Sequence, residues 1–412
     1  MLDVFAACLT LTALLAYLNH RFVGLPPTVG VMGIALLLSI ALLILDAVGI
    51  STWHDYELSL LRSIDFSAIL MQGMLSLLLF AGALHVDLRA LRRYGWQVGL
   101  LAVVGTICST VLIGGALYYL LPMTGVSLPM AWCMVFGALI SPTDPISVMG
   151  ILSSAKAPAS LEIVIAGESL FNDGVGLALF VLAMSAIADA TPPSATAAAR
   201  LLLREAGGGI AFGLVLGYLS FALMSTIDSY QEEVLITLAT VLGGYALANH
   251  LHVSGPLAMV VAGLIVGNHA RAEAMSDTTR ANVDMFWHLL DAILNAVLFM
   301  LVGLEIVVVE RSPSLVLASA TAVAVTLAAR FLSVGLPLLV LGRRAGLPTG
   351  AWQVLTWGGL RGGISVALAL SLPAGPEQDL VLALTYSMVV FSILGQGLTV
   401  VAVVRRFVLR HN

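Results

Sequence analysis

The stretch GESLFNDG, residues 167–174, carries two carboxylates and an amide in otherwise lipid-soluble sequence. Such groups bind a proton, a small cation or an arginine, and inside a bilayer they are costly unless they do one of these. At 100° per residue, Ser169, Asn172, Asp173 and Gly176 share one helix face, and Glu168 lies roughly 140° around from Asp173. The two carboxylates do not converge. That argues against a two-carboxylate metal site or an acid–base dyad and implies separate tasks.

Glu168 needs a cation, and only two arginines fall inside apolar runs: Arg330 in LAARFLSVG and Arg361 in WGGLRGGIS. Glu168–Arg330 is the expected pair and Glu168–Arg361 the alternative. Arg361 is better suited to offsetting the negative C-terminal ends of interrupted helices. Asp173 is then left without an assigned protein cation. Desolvation penalises a bare carboxylate, so such a group holds either a proton or a small metal cation, but not both well. Competition of that kind is the minimal chemistry of an antiporter. Oxygens from Thr143, Ser169, Asn172 and freed backbone carbonyls can complete a shell for a hard cation. The plainer alternative is that Asn172 and Asp173 only hydrogen-bond one helix to another.

The elements that must position these groups are membrane helices. The chain has 412 residues, of which 60% are hydrophobic and 10% charged. A soluble domain carries about 25% charged residues, so the composition predicts an all-α polytopic membrane protein. Thirteen spans are expected, at roughly 2–19, 28–45, 66–84, 96–121, 130–152, 161–187, 200–224, 233–248, 255–268, 286–309, 314–341, 350–372 and 379–403. The opening segment lacks a basic n-region and reads as a first span rather than a cleaved signal. No soluble domain is expected.

Two spans are interrupted. SPTDPISVMG in span five carries Pro142 and Pro145, which supply no N–H and leave the carbonyls of Ala138 and Ser141 without their usual partners. Asp144 directly before Pro145 fits a helix N-cap, and it equally fits a direct place in an ion site. Span twelve carries Gly358, Gly359, Gly362 and Gly363 around Arg361. The two breaks lie seven spans apart, so the interrupted helices run in opposite directions. This predicts two inverted six-helix repeats, about 2–187 and 233–403, with a linker helix at about 200–224. Paired interrupted segments of this kind point to a transport site at the bilayer midplane.

Of the 18 basic residues, the loops on the side of the N-terminus take four: Arg62, Arg200, Arg204 and Arg311. The opposite loops take twelve. The positive-inside rule puts the N-terminus outside and the C-terminus in the cytoplasm. No P-loop, GxSxG elbow or HExxH sequence occurs, and the only lysine is Lys156, so ATP and nucleic acid are not expected as partners and no enzyme activity is expected. No cofactor is expected. The three cysteines, Cys8, Cys108 and Cys133, lie in apolar runs without metal or disulfide spacing. Asp291, Asn295 and Glu305 on span ten have blander readings, as do His85, His250, His252, His269 and His288 at span ends or in loops.

SPTDP, GESLFNDG, the arginine of LAARFL and GGLRGGISVALAL, in that order, resemble the monovalent cation:proton antiporters of the NhaP type, relatives of the animal sodium/proton exchangers. The resemblance covers essentially the whole chain. It implies thirteen spans in two inverted repeats, an outside N-terminus, and a homodimer whose interface is separate from a moving six-helix core, in the cell (inner) membrane. It implies Asp173 as the ion- and proton-binding carboxylate with Asn172 as its partner, Thr143 and Asp144 at the crossing, Ser169 as a ligand and Glu168 paired with Arg330. The Asn-Asp pair resembles the electroneutral branch, which exchanges one Na⁺ (or Li⁺) for one H⁺. The chain departs from many relatives in span three, where Ala81 and Gly82 occupy the part in which those relatives carry an acidic residue. K⁺/H⁺ antiport and sodium-coupled symport of an organic anion are the rival functions.

Overall fold

The computed structural model describes residues 2–47, 73–144, 148–150, 152, 155–188, 196, 200, 203–304, 312–342 and 346–409. Pro145, Glu305, Arg62, Arg311, Arg343, Arg344, Arg410 and the first part of expected span three lie outside the described residues.

Every regular element among the described residues is helical. The chain runs through α1 (Leu2–Leu18), α2 (Pro27–Ala47), α3 (Leu75–Leu84), α4 (Gly95–Thr124), α5 (Met130–Ile140), α6 (Ala159–Ala188), α7 (Leu203–Met224) and α8 (Tyr230–His250). It continues through α9 (Gly255–Ala270), α10 (Asp277–Leu304), α11 (Pro313–Leu341), α12 (Ala351–Trp357), α13 (Gly363–Leu370) and α14 (Pro376–Val408). Among the described residues, 8 of these helices are long and apolar enough to cross a membrane. The chain is therefore a multi-pass membrane protein.

The difference from thirteen expected spans has local causes. Expected span five stops as a helix at Ile140, before Pro142, and span twelve is split into α12 and α13 by its glycines. The ninth remains short as Gly255–Ala270. α8 spans 21 residues but begins on Glu232 and Glu233 and ends on Asn249 and His250. Only Leu75–Leu84 of the third expected span lies in the described helix.

Capping follows the sequence. Asp87 accepts the backbone N–H groups of Arg89 (2.7 Å) and Ala90 (3.3 Å), opening the short basic helix Leu88–Arg93. Ser312, followed by Pro313, accepts Leu315 N–H at the start of α11.

Small residues bring helix backbones together, which in lipid replaces the hydrophobic driving force. On α7, Gly209, Gly213 and Gly217 form a stripe against Ser254, Ala258 and Ala262 of the α9 segment; a methyl group at Gly213 would lie 2.5 Å from the Ala258 carbonyl oxygen and 2.9 Å from its Cα. Gly137 of α5 meets the Thr110 carbonyl of α4 in the same way, and Gly303 of α10 meets Met32 and Ala35 of α2.

The helix ends sort into two sets. Asn268 binds Leu88 N–H and the Val86 carbonyl, and Thr279 binds Asp228 at 2.9 Å, so the loops around 86, 228 and 276 share one end. Gly125 and Ser314 meet at the other. Hydrogen bonds from Ser276 and then Thr279 hold the exposed Asp228 carboxyl below the usual carboxylate range. That clasp therefore contributes above the ordinary carboxylate pKa and is lost in acid, as pH falls through the lowered value.

The glycine stripe yields a direct test. Gly213→Val should destabilise the α7–α9 pair by roughly 1–3 kcal/mol, lowering the thermal-aggregation midpoint of detergent-purified protein. Gly115→Val, at a position with nothing within 4 Å, should leave that midpoint near wild type.

Candidate functional site

The site begins where two helices stop. Pro142 ends the hydrogen-bonding pattern of α5, and beyond it Thr143 and Asp144 are non-helical; across from them residues 359–362 separate α12 from α13. The two interruptions bond to each other. Asp144 N–H donates to the Leu360 carbonyl at 2.8 Å. Arg361, 1% exposed, donates through Nη1 to the carbonyls of Ser141 and Pro142, the latter at 2.8 Å. Ser141 is one of the two residues whose carbonyl the prolines deprive of a partner, and a cation there also offsets the negative end of α5. The close approach excludes a side chain at Gly362, where a Cβ would lie 2.8 Å from Asp144 Cβ and Oδ2.

α6 presents its polar residues to this crossing on the faces that helical spacing implies. Asn172 is fully buried; its Nδ2 donates to Thr143 Oγ1 at 2.8 Å and its Oδ1 accepts Thr143 N–H at 3.3 Å. Ser169 Oγ lies 2.8 Å from the same Thr143 oxygen. Gly176, one turn on, leaves room for the Pro142 ring. Around the helix, Glu168 meets Arg330 of α11 in a two-pronged pair, Nη1 to Oε1 and Nη2 to Oε2 at 3.0 Å. Both side chains are buried. Arg330 Nη2 also reaches the Leu355 carbonyl near the end of α12, at 3.2 Å. The partner of Glu168 is therefore Arg330, and Arg361 is committed to the carbonyls of the first break.

Asp173 lines a cavity of about 50 Å³ together with Thr143, Asp144, Gly362 and Ser365 at the crossing. Leu78, Leu79 and Gly82 of α3 and Asn295 and Leu298 of α10 form its other side. That volume accommodates a few water-sized bodies. Among the described residues Asp173 makes no ion pair with an arginine, lysine or histidine. The span-three departure falls on the wall itself: Gly82 faces the cavity, and no carboxylate comes from α3 among the described residues.

Two further residues line the site: Ser365, which had no clear mark in the sequence, and Asn295, for which the sequence favoured a blander reading. Ser365 donates to the Leu139 carbonyl at 2.7 Å while lining the cavity. Asn295 lines it too, and its Nδ2 reaches Asp291 Oδ1 at 3.1 Å. The only advance signal for Asn295 was its spacing of four from Asp291, which puts both on one face of α10.

Residues 10–406 match the family described as "Sodium/hydrogen exchanger, transmembrane". The chain belongs to this family. Its members are transporters, not enzymes. The Na(+)/H(+) antiporter NhaP of Pseudomonas aeruginosa is 52% identical over 410 residues, covering 98% of this chain and 97% of that protein. The Na(+)/H(+) antiporter NhaH of Halobacillus dabanensis is 36% identical over 393 residues, covering 92% and 95%. The solved structure of the sodium proton antiporter MjNhaP1 from Methanocaldococcus jannaschii at pH 8 superposes with a TM-score of 0.76 at 20% identity, covering 98% of both chains. At that identity it establishes the exchanger fold and nothing more.

The buried pair invites a double-mutant cycle. Glu168→Gln and Arg330→Gln should each destabilise the exchanger by about 3–5 kcal/mol, because each strands a buried charge. The double variant should be markedly less damaged than the sum. Thermal unfolding of purified protein measures the coupling, and additive losses would show that the pair does not act as a unit.

Proposed function

We propose that this chain is a secondary antiporter that exchanges Na⁺ (or Li⁺) for H⁺, one for one, with cation and proton competing for Asp173. The observation that carries the reading is the division of the two carboxylates of GESLFNDG. Glu168 is neutralised by Arg330, while Asp173 opens on a small cavity at the crossing of two broken helices. Thr143 lines the same cavity and offers a neutral oxygen; Ser169 and Asn172 bond to Thr143 but are not among the residues lining the cavity, and Asp144 lines it at the crossing. Arg361 compensates the broken-helix ends rather than the ion. The relatives named as Na⁺/H⁺ antiporters support sodium as the ion. A cavity of about 50 Å³ favours a small cation and disfavours symport of an organic anion.

The architecture that goes with this function is thirteen spans in two inverted repeats, about 2–187 and 233–403, joined by a linker helix at about 200–224. The protein is a homodimer in the cell (inner) membrane with its N-terminus outside and C-terminus in the cytoplasm, working by alternating access. With one charge moving each way, the membrane potential, worth about 2.3 kcal/mol per charge per 100 mV, does no net work. The pH difference, about 1.4 kcal/mol per unit, and the cation gradient set direction. An alkaline interior makes inward protons drive sodium out.

Proteoliposomes test the proposal. Na⁺ should dissipate an imposed pH gradient at a rate unaffected by a valinomycin clamp, and Asp173→Ala should abolish it. Retained exchange in Asp173→Ala would overturn the site, and activity with K⁺ but not Na⁺ would reassign the ion.

A further inference from the structure

An unbroken helix would join Trp357 C=O to Arg361 N–H, four residues on. The interruption between α12 and α13 removes that bond, and in the membrane interior both ends need substitutes. The last helix supplies them. Gln396 Nε2 donates to the Trp357 carbonyl at 3.0 Å, and Ser392 Oγ accepts Arg361 N–H at 2.8 Å. Both side chains are buried, and they stand one turn apart at a π-helical turn of α14, Phe391–Gln396. A third bond, Trp357 Nε1 to Thr399 Oγ1 at 2.9 Å, ties the same helix to the end of α12.

The first interruption is mended in the same pattern. There the missing bond joins Leu139 C=O to Thr143 N–H, also four residues apart. Ser365 Oγ donates to the Leu139 carbonyl, and Asn172 Oδ1 accepts Thr143 N–H. In each break one side chain satisfies the orphaned carbonyl and another the orphaned N–H, and in each the N–H acceptor comes from the long helix that follows the break. Ser392 thus does for Arg361 what Asn172 does for Thr143.

Gln396 also has a cost that argues for its role. Its Oε1 is buried with no hydrogen-bond partner among the described residues, which an apolar residue of similar size would avoid. What is retained in exchange is the bond to Trp357.

We infer that Ser392 and Gln396 are positioning residues for ion exchange: they replace the missing Trp357–Arg361 backbone bond and so set the Leu360–Arg361 segment that holds the first break. They touch no ion. Leu360 C=O holds Asp144 N–H, and the Arg361 guanidinium holds the Ser141 and Pro142 carbonyls. A shift at Arg361 therefore moves Thr143 and Asp144 relative to Asp173. This inference rests on the proposed exchange at Asp173.

The test measures the half-saturating Na⁺ concentration and the pH profile of exchange in proteoliposomes. A merely structural defect lowers the amount of active protein and leaves both unchanged. Ser392→Ala orphans the buried Arg361 N–H, and Gln396→Leu orphans the Trp357 carbonyl. Each should raise the half-saturating Na⁺ by about tenfold and shift the pH profile, while Ser392→Thr, which keeps the hydroxyl, should restore wild-type values. Should Ser392→Ala fail to reach the membrane, Ser392→Cys takes its place, a weaker acceptor of similar volume, with an intermediate rise expected. Wild-type Na⁺ dependence and pH profile in either Ser392→Ala or Ser392→Cys, together with Gln396→Leu, would overturn the inference. Failure of the wild-type protein to exchange Na⁺ for H⁺ would instead overturn the function on which it rests.

Discussion

Every backbone polar group in the hydrocarbon interior must find a partner, and this molecule breaks two helices at that depth. The rest of the site follows from how those loose ends are met. The free carbonyls of Ser141 and Pro142 draw Arg361 across from the other break. Asp144 N–H and Leu360 C=O join the two interruptions directly. Leu355 C=O takes the second guanidinium, Arg330, which also neutralises Glu168. Each arginine thus serves a helix end, and one also serves a carboxylate. A single pair of breaks determines where both buried cations sit, and with Arg330 on Glu168, Asp173 is left without an arginine partner among the described residues.

The neutral cluster around Thr143 shows the same economy. Asn172 uses both ends of its amide on one residue, and Ser169 shares the same hydroxyl. Of these three residues only Thr143 lines the cavity with Asp173, and the bonds from Ser169 and Asn172 hold it there. In the proposed exchange an ion entering the cavity would meet a Thr143 hydroxyl already fixed in place, and less of its binding energy would go into arranging side chains. Glycines do complementary work. At Gly362 and Gly359 the absence of Cβ lets Asp144 and Arg330 come close, and on α7 the same absence lets a whole helix do so.

Much of this was legible in the chain itself. The 100° rotation of an α-helix was enough to separate Glu168 from Asp173. Two prolines and four glycines located the breaks. The sequence narrowed the partner of Glu168 to two arginines with Arg330 expected, and the packing of α6 against α11 decides for Arg330. Other features had no local signature. Ser365, Ser392 and Gln396 are isolated polar residues in apolar helices, and only the orphaned backbone groups opposite them give them meaning. The number of continuous helices was also hidden. Apolar run length counts residues that can lie in lipid, whether or not the helix through them is whole, so broken spans look intact until Pro142 and Gly358 are seen to stop them.

The cavity has two kinds of wall. Thr143, Asp144, Asp173, Gly362 and Ser365 come from the crossing and its flanking helices, and the bonds of Thr143, Asp144 and Ser365 run to Asn172, Ser169, Leu360 and Leu139 of the same elements. The facing wall, from α3 and α10, is mostly leucine and glycine, and among the described residues Asn295 is its one polar side chain. A boundary of that composition is a greasy seam. In the proposed alternating access, displacement along it would break few hydrogen bonds and leave the crossing intact. The barrier to such a displacement would lie in apolar side chains sliding past one another.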